Sequence, residues 1–164
     1  MRVLPSVVVG LMLSCGAMQA AHAADCSTNK ENLSIAEVSK ISGVTMTTAQ
    51  EAGPSCMYSS AADKSGMATQ IQLARMPGGS KQAFDAMTQA MTQNQMKCDK
   101  VSGIGDEARL CGMAASPMQS TLFALKGSQI YTAVVVSPAA MSDKSVAAKM
   151  PDTVKALATA LVVK

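Results

Sequence analysis

Four cysteines, Cys26, Cys56, Cys98 and Cys111, constrain this chain more than any other feature, because they follow a segment that reads as an export signal. Within residues 1–24, Arg2 supplies a positive start, residues 3–18 are mostly apolar, and Ala21-His22-Ala23 forms a small-x-small cleavage site. The 164 residues less those 24 leave 140, and 25–164 is expected to be a single exported domain able to bury one core. Export delivers the four thiols to an oxidising compartment, periplasmic or extracellular, where an even cysteine set reads as a pair of disulfides. Four cysteines allow three pairings. Spacing favours Cys98–Cys111, which flank the turn-rich Gly103-Ile104-Gly105-Asp106, and Cys26–Cys56, which tethers an end that otherwise frays. No Cys-x-x-Cys is present, which argues against a thiol oxidoreductase or a zinc site.

The fifth cysteine lies inside the signal. Leu13-Ser14-Cys15-Gly16 is an imperfect lipoprotein site, so lipidation of Cys15 and a lipid-anchored location are the alternative to soluble export. No later stretch approaches the roughly 20 apolar residues of a membrane span.

The only histidine, His22, falls within the signal, so the exported product carries no imidazole. Without it there is no Ser–His or Cys–His pair, and cysteines held in disulfides offer no thiolate. Charged residues make up 15% of the chain and hydrophobic ones 48%, as in a compact globule. Loss of Arg2 leaves a net charge of about +2, and the remaining Lys and Arg are scattered singly. That pattern excludes a nucleic-acid footprint, which needs clustered cations among aromatic platforms. Tyr58, Phe84, Phe123 and Tyr131 are the only aromatics, so aliphatic residues and methionine must fill the core.

Periodicity orders the elements. Ser34-Ile35-Ala36-Glu37 is a capping box that opens a helix with Ile35, Val38 and Ile41 on one face, ended by Gly43. Gly53-Pro54-Ser55 breaks the chain before a strand at Cys56-Met57-Tyr58, and 63–66 reads as a turn into a strand over 68–75. There Thr69, Ile71 and Leu73 share one face. Ser80 caps a helix whose stripe is Phe84, Met87 and Met91, with Ala83 and Ala90 beside it. Strands follow at 107–111, 122–125 and 130–136, the last two joined through 126–129; Val134-Val135-Val136 marks the last as central. A helix over 142–163 is interrupted by Pro151, which either kinks it or starts a second one. The two halves are alike in outline, without a residue-level repeat. An antiparallel β-sheet flanked by helices, an α+β fold with two disulfides, is the natural packing for this order.

Val38-Ser39-Lys40-Ile41-Ser42-Gly43, then Cys56-Met57-Tyr58, then Val101-Ser102-Gly103-Ile104-Gly105-Asp106-Glu107-Ala108 together resemble a family of secreted lipoproteins of unknown function common in actinobacteria. The resemblance spans most of 26–162 and implies a PsbP-like α/β/α sandwich outside the cytoplasm. It implies no activity. The chain departs from the pattern at its poor lipid-attachment site and at Tyr58, where such proteins often carry Trp.

Three patterns offer chemistry. Gly103-x-Gly105-Asp106-Glu107 lacks the third glycine and the following helix of a dinucleotide fingerprint, and two adjacent acids are too few for calcium. A structural turn is the better reading, with a contact loop as its functional alternative. Ser27-Thr28-Asn29-Lys30 matches Ser-x-x-Lys, but the Ser-Asp-Asn and Lys-Thr-Gly elements that accompany it elsewhere are missing. Eleven of the 14 methionines follow residue 24, and Met87, Met91 and Met96 are the nearest grouping for a Cu(I) thioether site; as fillers of an aromatic-poor core they need no metal. Met113, Met118 and Met141 fall in turn-like stretches and suit an exposed sticky patch. The sequence therefore reads as an exported, disulfide-stapled, non-enzymatic binding module with no cofactor, its partner an envelope protein in an inhibitor, immunity or accessory role. The second reading is a small-ligand or Cu(I)-binding protein, and the third a small hydrolase.

Overall fold

The Ser34 Oγ accepts from the Glu37 N–H (3.2 Å) while the Glu37 carboxylate accepts from the Ser34 N–H (2.7 Å), so helix α1 (Ile35–Ser42) opens on a complete capping box. Gly43, at φ +70°, ends it and returns its N–H to the Ser39 carbonyl. The computed structural model describes residues 25–64, 66–113 and 116–164; residues 1–24, on which the expected export signal, Cys15 and His22 fall, lie outside them.

Beyond α1 the chain runs β1 (Met46–Ala52), β2 (Ser55–Ser60), β3 (Gln70–Pro77), α2 (Lys81–Gln93), β4 (Lys97–Val101), β5 (Glu107–Met113), β6 (Ser116–Lys126), β7 (Gln129–Val136) and α3 (Lys144–Val163). Short 3-10 turns at Cys26–Thr28 and Pro138–Met141 precede α1 and α3. All seven strands form one antiparallel sheet in the order β1-β2-β3-β7-β6-β5-β4. The β6–β7 hairpin pairs Lys126 with Gln129 across Gly127-Ser128, with Gly127 at φ +57° as a type II′ turn requires. β7 stands at the centre, as its apolar run predicts.

Two cores lie on opposite faces, so the sheet is sandwiched between helices. On one face Tyr58, Ile71, Leu73, Leu122, Ala133 and Val135 meet Val38 of α1 and Val154, Leu157 and Leu161 of α3. On the other, Phe84 of α2 packs with Met96, Cys111, Phe123, Leu125 and Ile130. Alternation explains the division. Leu122 and Ala124 point one way from β6 and Phe123 and Leu125 the other, which buries that strand on both sides.

Both disulfides join the cysteines that spacing pairs. Cys26–Cys56 fixes the first turn to β2 (Cα–Cα 5.6 Å), and Cys98–Cys111 links directly opposed residues of β4 and β5 (Cα–Cα 4.0 Å). The carbonyls that end α3 accept from side chains of the sheet: Lys126 Nζ donates to Val162 O (3.0 Å) and Arg75 Nη2 to Leu161 O (3.3 Å).

Some sequence expectations need correction. Ala83 and Ala90 are exposed and lie outside the α2 stripe. Pro151 neither starts a second helix nor ends the first; α3 is continuous through it, and the Ala147 carbonyl forgoes its helical donor. β1 and β4 are strands in addition to those expected, and β4 places Cys98 in the sheet, with the turn-rich 102–106 bringing it opposite Cys111.

Candidate functional site

The α1–α3 layer leaves a hollow on its face of the sheet. α1 stops at Gly43, α3 starts at Lys144, and between them a cleft of about 510 Å³ opens onto β3 and β7. Its floor is Thr69 and Ile71 from the β3 side and Val135 and Ser137 from the β7 side. Ile41 and Val44 form one wall. Val146, Met150 and Thr153, spaced to share one helical face, form the other. Ala156 extends that wall with a side chain too small to close the mouth.

Polarity is unevenly placed. Ile71, Val135 and Met150 are buried apolar groups. The floor hydroxyls share one hydrogen bond, Thr69 Oγ1 lying 3.2 Å from Ser137 Oγ, and Ser42 Oγ is engaged with the Val44 backbone at 3.2–3.3 Å. Charge is confined to the rim, at Lys40, Lys149 and Asp152. Asp152 pairs with Lys155 at 3.3 Å, whereas neither Lys40 nor Lys149 forms an ion pair among the described residues. This size and this apolar lining suit enclosure of part of one small molecule.

None of these residues was singled out as a site by sequence reasoning. Ile71, Val146 and Met150 were legible only as core positions; Ile71 and Met150 are covered, and the cleft lies above them where Ile41, Val44 and Val146 stay half-exposed.

The residues singled out from sequence have other surroundings. Asp106 N–H donates to Leu125 O (2.7 Å), and Asp106 Oδ2 accepts from the Gly127 N–H (2.7 Å), so the loop clamps the β6–β7 hairpin. Gly105 passes so close to β6 that an added Cβ would lie 2.5 Å from Leu125 O, whereas Gly103 faces open space. The Glu107 carboxylate accepts from Lys81 Nζ (3.0 Å), which ties α2 to β5, and from Arg109 Nη2 (2.8 Å) of its own strand. Those hydrogen bonds, Lys81 first, hold its pKa below the ordinary carboxylate value.

Met87 and Met91 are half-buried and Met96 is buried, all in the α2 core beside Met76 and the Cys98–Cys111 bond. Ser27 Oγ donates to Asp25 Oδ1 at 2.7 Å in the 3-10 turn rather than opening a buried helix. Of the methionines expected in turn-like stretches, Met113 and Met141 are exposed and Met118 is half-buried. Among the described residues, no three His, Cys, Asp or Glu side chains converge where they could hold a metal ion, and no helix is long and apolar enough to cross a membrane.

No protein-family model, curated protein or solved structure matches the chain. The functional reading therefore rests on the geometry.

Proposed function

We propose that the protein is an exported, non-enzymatic binding module of the cell envelope whose α1–α3 cleft takes a small, largely apolar molecule. The observation that carries this reading is a largely apolar cleft of about 510 Å³ whose two floor hydroxyls are hydrogen-bonded to each other, so that it offers surface rather than a reacting group. The two disulfides suit an oxidising compartment, periplasmic or extracellular. The uncharged dye N-phenyl-1-naphthylamine tests the cleft. It should brighten on a single saturable site, and Ala156→Phe, which fills the mouth from an exposed helical position, should abolish the signal while circular dichroism is unchanged. A dye that does not bind, or binds the variant equally, contradicts the proposal.

A second reading rests on a different feature. Met67 and Met141, 49% and 60% exposed, border a shallow hollow with Pro138 and Ala139, and such apolar exposure suits a protein partner in an inhibitor, immunity or accessory role. Capture of one specific envelope protein by the wild type and not by Met141→Lys supports it; equal capture by both argues against it.

A further inference from the structure

If the cleft binds a small apolar molecule, its rim restricts what kind. We infer that the ligand is a free single-chain amphiphile with a carboxylate head, of the fatty-acid type. The chain lies against the half-buried Ile41, Val44 and Val146, above a floor closed by Ile71, Val135 and Met150, and the head lies at the mouth between Lys40 and Lys149. This rests on the reading of the cleft given above and adds to it a head group, an orientation and a size.

The floor directs the apolar end inward. Thr69 and Ser137 share one hydrogen bond, so the floor has at most one hydroxyl hydrogen to offer a ligand. A charged head buried there would exchange its full hydration for that single donor. The rim directs the sign of the head. The charged residues that line it are Lys40, Lys149 and Asp152; Lys155 holds Asp152, Asp143 attracts Lys149 without forming an ion pair, and neither lysine is ion-paired among the described residues. Lys40 stands in the last turn of α1, where its charge also suits the negative end of the helix. An anion at the mouth meets two cations, and a cationic head meets repulsion. A cleft of about 510 Å³ encloses one chain rather than a two-chain lipid in its bilayer, which favours the free amphiphile over a membrane surface.

Displacement of N-phenyl-1-naphthylamine from the full chain tests the inference, with octanoate, decanoate, decanol and decyltrimethylammonium as competitors below their micelle concentrations. Decanoate should displace the dye at lower concentration than decanol, and the cation should be weakest. Each added methylene should tighten carboxylate binding about fourfold while it remains buried. Lys40→Gln combined with Lys149→Gln should reduce the decanoate-to-decanol affinity ratio on the order of tenfold, and added salt should reduce it in the wild type. Equal displacement by decanoate and decanol, with no change in ratio in the double variant, overturns the head-group inference and leaves the apolar cleft standing. Failure of the dye to bind overturns both. Sedimentation with phosphatidylglycerol vesicles that persists in saturating decanoate overturns the choice of a free ligand.

Discussion

The Tyr58 hydroxyl, buried in the middle of β2, donates to the carbonyl of Leu33 just ahead of the α1 capping box. One bond thus joins the sheet to the segment that orients the helix. Burial, reinforced by the charges of Glu37 and Asp25, pushes the phenol pKa well above its ordinary value, so the hydroxyl stays a donor. Tyr58→Phe leaves the buried Leu33 carbonyl without this donor and should cost about 1–3 kcal/mol, read as a lower urea midpoint at unchanged m-value. An unchanged midpoint would show that the bond contributes nothing net.

The turn before β5 should be sensitive at one glycine more than at its neighbour. Gly105→Ala combines a positive φ (+62°) with a Cβ placed 2.5 Å from Leu125 O and should destabilise by on the order of 2 kcal/mol or more. Gly103→Ala, at φ +82° in open space, should cost about 1–2 kcal/mol from backbone strain alone. Thermal midpoints of the two variants rank them; a larger drop for Gly103→Ala contradicts the steric account.

The disulfides should differ in worth. Cys26 and Cys56 close a 30-residue separation, Cys98 and Cys111 one of 13. On the chain-entropy model, removing the first pair by double alanine substitution costs about 3–4 kcal/mol and the second about 3. Paired urea titrations of the two double variants measure the difference.

Acid should unfold the protein through named carboxylates. The Ser34 N–H and hydroxyl, with Lys164 Nζ, lower the pKa of Glu37; Lys81 and Arg109 lower that of Glu107; the Ser145 hydroxyl and N–H lower that of Asp143. A folded pKa below the unfolded one adds stability that is present above the unfolded value and lost as pH falls through the folded one. Stability should therefore be level from about pH 6 to 8 and decline below about pH 4.5, with a shallower decline in Glu107→Gln. A plateau that extends unbroken to pH 3 would remove these groups from the account.

How much of this was legible depends on whether a signal was local. Ser34 and Glu37 announce α1 because both partners of the capping box lie within one turn. The paired cysteines were legible from spacing, and β7 from its apolar run. β1 was not legible: a bulge between Met46 and Thr48 breaks its alternation, Met46 and Ala49 alone are buried, and the rest is Thr, Gln, Glu and Ala. β4 is a charged edge strand, Lys97-Cys98-Asp99-Lys100-Val101, whose composition protects an exposed edge and hides the strand from pattern reading. The cleft was invisible for a related reason. Ile71 and Val135 read as core in any window and are core, and only the distance left between α1 and α3 leaves Ile41, Val44 and Val146 half-exposed above them.

The strand order has a consequence for how the molecule is made. β1-β2-β3 and β4-β5-β6-β7 are two runs of neighbours in chain order, zipped together where β3 meets β7, and each run holds one disulfide. Once Cys15 is removed or lipidated, as the sequence leads one to expect, a chain that arrives N-terminus first brings Cys26 to Cys56 before Cys98 has appeared, and Cys98 then finds only Cys111 unspent. Each remaining sulfur's first available partner is then its native one, so an oxidant that joins cysteines in order of arrival makes the right molecule without later correction.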